Sequence, residues 1–277
     1  MNRRFPDWKS CLQFCAALAL LTAAGMALAE ETPPETAWQA SLKNRFFQDR
    51  PITEGSDVIQ IKAPYRAEDA ALVPLQVVAQ FPQSSERSIR SIMVIIDSNP
   101  VPWTGTFQFT PLSGRADIAF RARVNAYSWV RAIAETSDGK LYMNKAFVKA
   151  SGGCSAPLGA DLEAAMARLG KMKFKLDGTE AKTGTMNEVQ LLISHPNLSG
   201  MQMDQITRMV KPAHFVKSVN VSYDGAAVFG ATTDIGISAD PNFRFNLVPD
   251  HQGGELKAEI TDNLDQHYSW KQPLNTP

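Results

Sequence analysis

The sequence predicts an all-β protein: two immunoglobulin-like β-sandwich domains joined by a cysteine-bearing arm and a short helix, with a further helix near the N-terminus. Three observations lead there. Short runs of alternating apolar and polar residues recur on both sides of residues 151–170, as in Thr106-Phe107-Gln108-Phe109-Thr110 and Arg121-Ala122-Arg123-Val124. Turn signals separate them, above all Asp138-Gly139 and Asp224-Gly225, which suit two-residue hairpin turns. Between the two strand-rich stretches lies Ser151-Gly152-Gly153-Cys154-Ser155-Ala156-Pro157, which fits neither a strand nor a helix.

The chain opens with an export signal, assigned to residues 1–29. Arg3, Arg4 and Lys9 form a positive segment, an apolar run extends from Phe14 to Leu28, and Ala27-Leu28-Ala29 offers a small-x-small cleavage site. The run is shorter than the roughly 20 apolar residues of a membrane span, so the expectation is a periplasmic protein without a span after cleavage. Cleavage also changes the thiol chemistry. Of 3 cysteines, Cys11 and Cys15 leave with the signal and Cys154 remains. A lone thiol in an exported chain is free, paired in trans or derivatised.

Charge excludes other classes. Lys+Arg and Asp+Glu both number 28, and removal of the signal leaves a small acidic excess. Such a balance recruits neither nucleic acid nor an anionic membrane.

The elements follow in order. Glu35–Gln48 reads as a helix with Trp38, Leu42, Phe46 and Phe47 on its apolar face, ended before Pro51. Residues 30–150 form the first predicted domain, with strands at Val58–Ile61, Leu72–Gln80, Ser91–Ile96, Gly105–Thr110, Ala116–Val124, Trp129–Thr136 and Leu141–Ala150. Residues 151–170 hold the arm and a helix over Asp161–Leu169, which Gly170 stops. Residues 171–277 form the second domain, with strands at Met172–Leu176, Glu188–Ser194, Phe215–Tyr223, Ala226–Thr232, Phe243–Val248, Glu255–Thr261 and Tyr268–Gln272.

The inventory of reactive motifs is mostly negative. The chain has no Gly-x-Ser-x-Gly elbow, dinucleotide fingerprint, phosphate loop or Cys-x-x-Cys pair. His195, His214, His251 and His267 lack the spacing of a helical metal site, so no metal and no cofactor is assigned. A metal held by Cys154 and a distant histidine is a weaker alternative. His195, in Leu192-Ile193-Ser194-His195-Pro196, is either satisfied in a turn or at the domain interface, or poised near the arm thiol. Arg121, Arg123 and Arg131 read as a solvated sheet face, or as partners for an anionic adduct. Asn197 and Asn220 match glycosylation acceptors, which matter only in a eukaryotic secretory pathway.

Several stretches resemble a known family. Phe107-Gln108-Phe109-Thr110-Pro111-Leu112-Ser113-Gly114-Arg115-Ala116, Thr136 to Met143, and Gly152-Gly153-Cys154 resemble SoxY, the carrier subunit of periplasmic sulfur oxidation. Leu192 to Pro196 with Gly200, Tyr223-Asp224-Gly225 with Val228-Phe229, and Ile237 to Pro241 resemble its partner SoxZ. The chain is thus similar to a natural SoxY–SoxZ fusion of the type associated with quinoprotein dehydrogenases. The resemblance implies a non-enzymatic carrier, with Cys154 as the covalent attachment point and Gly152 and Gly153 as its flexible tether. It also implies partners: the SoxY-like and SoxZ-like domains pair with each other within the chain, and outside it stand a c-type cytochrome that attaches thiosulfate, other sulfur-oxidation enzymes, or a quinoprotein alcohol dehydrogenase.

One departure stands out. In the family the arm ends the SoxY chain with trailing glycines, whereas here Ser155, Ala156 and Pro157 follow the cysteine and the chain continues. Proline fixes its own φ and restricts the residue before it, so the arm is tethered at both ends. The helix that follows suggests an arm folded back with Cys154 near its N-terminal amides, which would favour the thiolate.

Overall fold

The computed structural model describes residues 35–157, 162–176, 181–204 and 207–274. The export signal and Asp161, the expected first residue of the linker helix, lie outside these. Among the described residues no helix is long and apolar enough to cross a membrane.

Among the described residues, fifteen strands form a two-layer β-structure. One sheet contains β1 (Ile52–Glu54), β4 (Ile89–Ile96), β5 (Trp103–Phe109), β7 (Ser128–Thr136), β8 (Leu141–Val148), β11 (Val216–Tyr223), β12 (Ala226–Thr233), β14 (Glu255–Asp262) and β15 (His267–Pro273), in the order β1-β8-β7-β4-β5-β12-β11-β14-β15. The other contains β2 (Ile59–Lys62), β3 (Val73–Ala79), β6 (Ile118–Ala122), β9 (Met172–Leu176), β10 (Asn187–Ile193) and β13 (Asn242–Leu247), in the order β2-β3-β6-β13-β10-β9. Alternation sets which side chains face the core. In β2 and β3 every second residue is buried, as the two-residue period of a strand with one solvated face requires.

The expected strands are present with their ends shifted by a few residues. The short β1 was not foreseen; it pairs parallel to β8, with Ile52 opposite Leu141. Three residues directly behind Pro51 carry too little alternation to register.

The two halves are joined by more than their linker. β5 pairs antiparallel with β12, from Gly105 opposite Thr233 to Phe109 opposite Phe229. β6 meets β13 at Ala119 and Arg244. Both sheets therefore run without a break from one half into the other, and one apolar core spans the junction. Phe107 and Phe120 of the first half pack at 4.8 Å between ring centroids. Phe107 lies 6.1 Å from Phe243 of the second half, and Phe229 stacks on Phe245 at 4.6 Å. Such rings each bury a large apolar area and dominate core energetics.

The N-terminal helix contains a π-helical turn, Trp38–Leu42, and continues as α1, Lys43–Phe47. Trp38, Leu42 and Phe47 pack on Ile95, Ile133 and Leu141, outside the main core. Arg131 fixes its start. This fully buried guanidinium makes a forked pair with Asp97 at 2.8–3.1 Å, reaches Glu35 at 3.0 Å and lies 4.5 Å over the Trp38 ring. The linker helix, α2, is a single short run, Leu162–Met166.

Candidate functional site around Cys154

The sequence makes this site by routing the chain between the two halves. After β8 the backbone turns at Gly152, whose φ of +78° is a left-handed value that glycine adopts without penalty. Gly153 then threads a gap too narrow for any side chain. A Cβ there would lie 2.1 Å from the Ala70 carbonyl oxygen and 2.7 Å from that of Val124. Close backbone approach is thus what the second glycine permits.

The segment expected to swing as a flexible tether is docked in this structure. Gly152 N–H donates to the Asn125 carbonyl at 2.8 Å and Gly153 N–H to that of Val124 at 3.2 Å. Cys154 N–H reaches the Asn125 side-chain oxygen at 3.3 Å. From the other half, the buried Ser199 hydroxyl donates to the Cys154 carbonyl. Ser199 is itself held by Gln202, whose side-chain oxygen accepts its N–H at 2.8 Å. The backbone groups of the arm are therefore satisfied by both halves, as buried groups require.

Docking buries Cys154 to 1 % exposure. The expected thiolate near a helix terminus is not what forms. Burial pushes the thiol up to about 11, against the opposing pull of the Arg123 charge. Docked, the sulfur is a protonated and unreactive thiol at neutral pH.

Arg123 supplies the charge that acts on that sulfur, and it is 2 % exposed, so it does not belong to a solvated sheet face. One terminal nitrogen (Nη1) donates to the carbonyls of Ile235 and Ile237 in the second half. Its Nε has no partner, and burial lowers its pKa to about 10. Arg121, two residues earlier, is half-buried; its Nη2 donates to the Asp240 carbonyl at 3.2 Å and its Nε is also unpartnered. Both arginines line a cleft of about 280 Å³ with Ala156, Pro157 and Gln202. Arg131 stands apart, anchoring the N-terminal helix.

His195 is fully buried, and its placement links it to two residues the sequence left isolated. His214 Nε2 lies 2.8 Å from the Asp262 carboxylate, and His195 Nε2 lies 3.8 Å from the same oxygen. The donor atoms of all three fall within 4.8 Å, close enough to hold a metal ion. The tautomer argues for another role. Asn197 N–H points at His195 Nδ1 at 3.0 Å, so the ring proton sits on Nε2, the nitrogen a metal would need. The arrangement is built as two histidines about a carboxylate.

Burial lowers the His195 pKa to about 4, helped by His214 and opposed by Asp262. Burial would raise the Asp262 carboxyl, but His214 and the N–H groups of Gln266 and Leu264 outweigh it and hold it below the usual range. The cluster reaches the arm through the chain. Asn197 donates its amide to the Ile237 carbonyl that Arg123 also uses, and Ser199 holds Cys154. Asn197 is fully buried with both ends of its amide engaged, which removes it as a glycosylation acceptor.

Sequence reasoning singled out Cys154, Gly152, Gly153 and, as a possible site neighbour, His195. It missed His214 and Asp262, which lie far from His195 in sequence and meet it only through strand pairing. Ser199, Gln202 and Asn125 carry no linear signal at all.

An immunoglobulin-like double sheet with one buried thiol clamped between its halves defines the class: an all-β protein built around a cysteine-bearing turn. The family follows from the comparisons. Residues 43–154 match the family model of sulfur oxidation protein SoxY, and residues 175–273 match that of sulphur oxidation protein SoxZ. The chain belongs to the SoxY and SoxZ families as a single-chain SoxYZ-like protein. Among solved structures, the sulfur carrier protein SoxY from Chlorobium limicola f thiosulfatophilum is 26% identical, covering 42% of this chain and 97% of its own, with a TM-score of 0.34. A superoxide reductase (neelaredoxin) from Ignicoccus hospitalis is 20% identical over 33% of this chain and 79% of its own, with a TM-score of 0.30. Fibronectin(III)-like modules of Clostridium thermocellum CbhA are 10% identical over 78% of this chain and 93% of their own, with a TM-score of 0.25. No curated protein matches the chain significantly.

Proposed function

We propose that the chain is a periplasmic SoxYZ-like carrier that holds a covalent sulfur intermediate on Cys154 and presents it to separate redox enzymes. One observation carries this reading. The SoxY match ends on Cys154, the cysteine of the Gly-Gly-Cys segment and the one free thiol among the described residues. The docked arm then acts as a resting state. Docked, the sulfur is shielded and protonated. Released about the Gly152 hinge, it regains an ordinary thiol pKa near 8.5 and reaches a partner.

Burial of the thiol favours a second reading, in which the protein is an accessory module for a quinoprotein dehydrogenase and the thiol is structural. Intact mass of protein purified from its native periplasm, with and without reductant, separates the two. A carrier shows a reductant-sensitive mass increase that Cys154→Ser abolishes, together with loss of substrate oxidation. An unmodified thiol during growth on both thiosulfate and alcohols, with Cys154→Ser fully active, sinks the carrier reading in favour of the module.

A further inference from the structure

We propose that the cleft beside the docked arm, formed by Arg121 and Arg123 with Ala156, Pro157 and Gln202, receives the oxyanion end of a group attached to Cys154. The ligand class is a sulfonate-terminated adduct, and the inference rests on Cys154 being a covalent attachment point.

The geometry points there through an imbalance of charge. A buried guanidinium is ordinarily paired with an anion. Among the described residues, Arg123 has no carboxylate at ion-pair distance, only the Ile235 and Ile237 carbonyls. Its Nε is buried and unpartnered, and so is that of Arg121. The two acids at the cleft are committed elsewhere. Asp69 is exposed and accepts the Ala71 N–H at 2.8 Å, while Asp240 accepts the His195 N–H at 3.1 Å and faces Arg168 at 4.0 Å. The docked thiol is neutral and cannot supply the missing charge. A sulfonate on that sulfur would, and planar guanidinium groups match oxyanions with directed N–H donors. The cleft's about 280 Å³ accommodates such a group with its waters.

Two chemically loaded forms of the full chain test this. Tetrathionate loads the anionic form. The Cys154 thiolate attacks an inner sulfur, the central S–S bond breaks, thiosulfate leaves with the electron pair, and Cys154 carries –S–SO₃⁻. Methyl methanethiosulfonate loads a neutral form: the thiolate takes the methylthio group and methanesulfinate leaves. The thiol proton goes to solvent in both. The readout is the rate at which dithiothreitol removes each adduct, relative to the same adduct on a short Gly-Gly-Cys-Ser peptide.

The expected result is at least tenfold greater protection of the sulfonate form than of the methylthio form. Arg123→Met and Arg121→Gln should each remove most of that difference and leave methylthio protection unchanged. Should Arg123→Met not fold, the half-buried Arg121→Gln decides. Equal protection of the two forms overturns the cleft and leaves the carrier reading standing. Absence of any adduct on the native protein removes the carrier reading, yet the charge preference of the loaded forms remains measurable.

Discussion

At the scale of single residues, His195 shows how burial turns an ordinary side chain into a pH-dependent stability term. Its folded pKa of about 4 lies below the ordinary 6.5. Below pH 6.5 the unfolded chain takes up a proton that the folded chain refuses, so stability falls with pH and stops falling near pH 4. The full span of that window corresponds to about 3 kcal/mol at roughly 1.4 kcal/mol per pH unit. Asp262, held below the carboxylate range, adds stability at neutral pH that disappears as pH falls further, in the same direction. We predict that the denaturant midpoint drops steeply between pH 6.5 and 4.5. In His195→Gln the drop should be shallower across that window, from a lower value at pH 7. An unchanged slope in the variant would show that His195 does not set the acid limit. Nothing in the linear sequence announces this cluster. A histidine before proline reads equally as a satisfied turn or a site neighbour, and only the bridge between Leu198 and His214, with Val216 of β11 set opposite Asp262 of β14, brings His214 and Asp262 to it. The buried state of Arg123 is equally silent, because Arg121-Ala122-Arg123-Val124 has the alternation of a solvated strand face. The segment at Gly236–Ser238 pairs with this stretch from the other half, and the Arg123 guanidinium donates to the Ile235 and Ile237 carbonyls there.

At the scale of the element, the arm was legible as an exception and misleading as to its state. Two glycines before a thiol suggest looseness, because glycine widens the conformations open to a chain. Here they serve different ends. Gly152 supplies a left-handed turn with open space around it, and Gly153 supplies absence of bulk between the Ala70 and Val124 carbonyls. Gly153→Ala should therefore expel the arm, whereas Gly152→Ala should only strain it by roughly 1 kcal/mol. Because Cys154 reacts only when undocked, each ~1.4 kcal/mol lost from docking raises its alkylation tenfold. We predict at least tenfold faster iodoacetamide labelling in Gly153→Ala at pH 7.5. The apparent pKa of labelling should fall from about 11 towards the ordinary ~8.5. Labelling at the native rate in Gly153→Ala would mean that the arm is already free in solution. The strands, by contrast, were readable because alternation and the Asp-Gly turns act locally. β1 escaped because its parallel partner lies far along the chain.

At the scale of the whole molecule, the sequence pattern separates two strand-rich halves, and the structure makes them one body. Strand pairing across a junction carries no local signature. β5 and β12, each the outermost strand of its own half in that sheet, look alike whether they face solvent or one another. Their pairing over Gly105–Phe109, the bridge from β6 to β13 and the shared Phe107, Phe229 and Phe243 contacts oppose separation of the halves. Each half alone would expose unpaired strand edges and an open aromatic core, a combination prone to aggregate. The covalent link mainly raises the effective concentration of one half near the other. Two consequences follow. The intact chain should unfold in a single calorimetric transition whose van't Hoff and calorimetric enthalpies agree. If the chain is cut between residues 157 and 162 and the halves are co-expressed, they should co-purify as a 1:1 complex with the arm still docked. Phe229→Ala should weaken that complex by about 3–5 kcal/mol, the usual loss for a buried aromatic ring. Two separately stable, monomeric halves after cleavage would mean that the β5–β12 seam is a surface contact, and Cys154 would then rest in a joint that opens by itself.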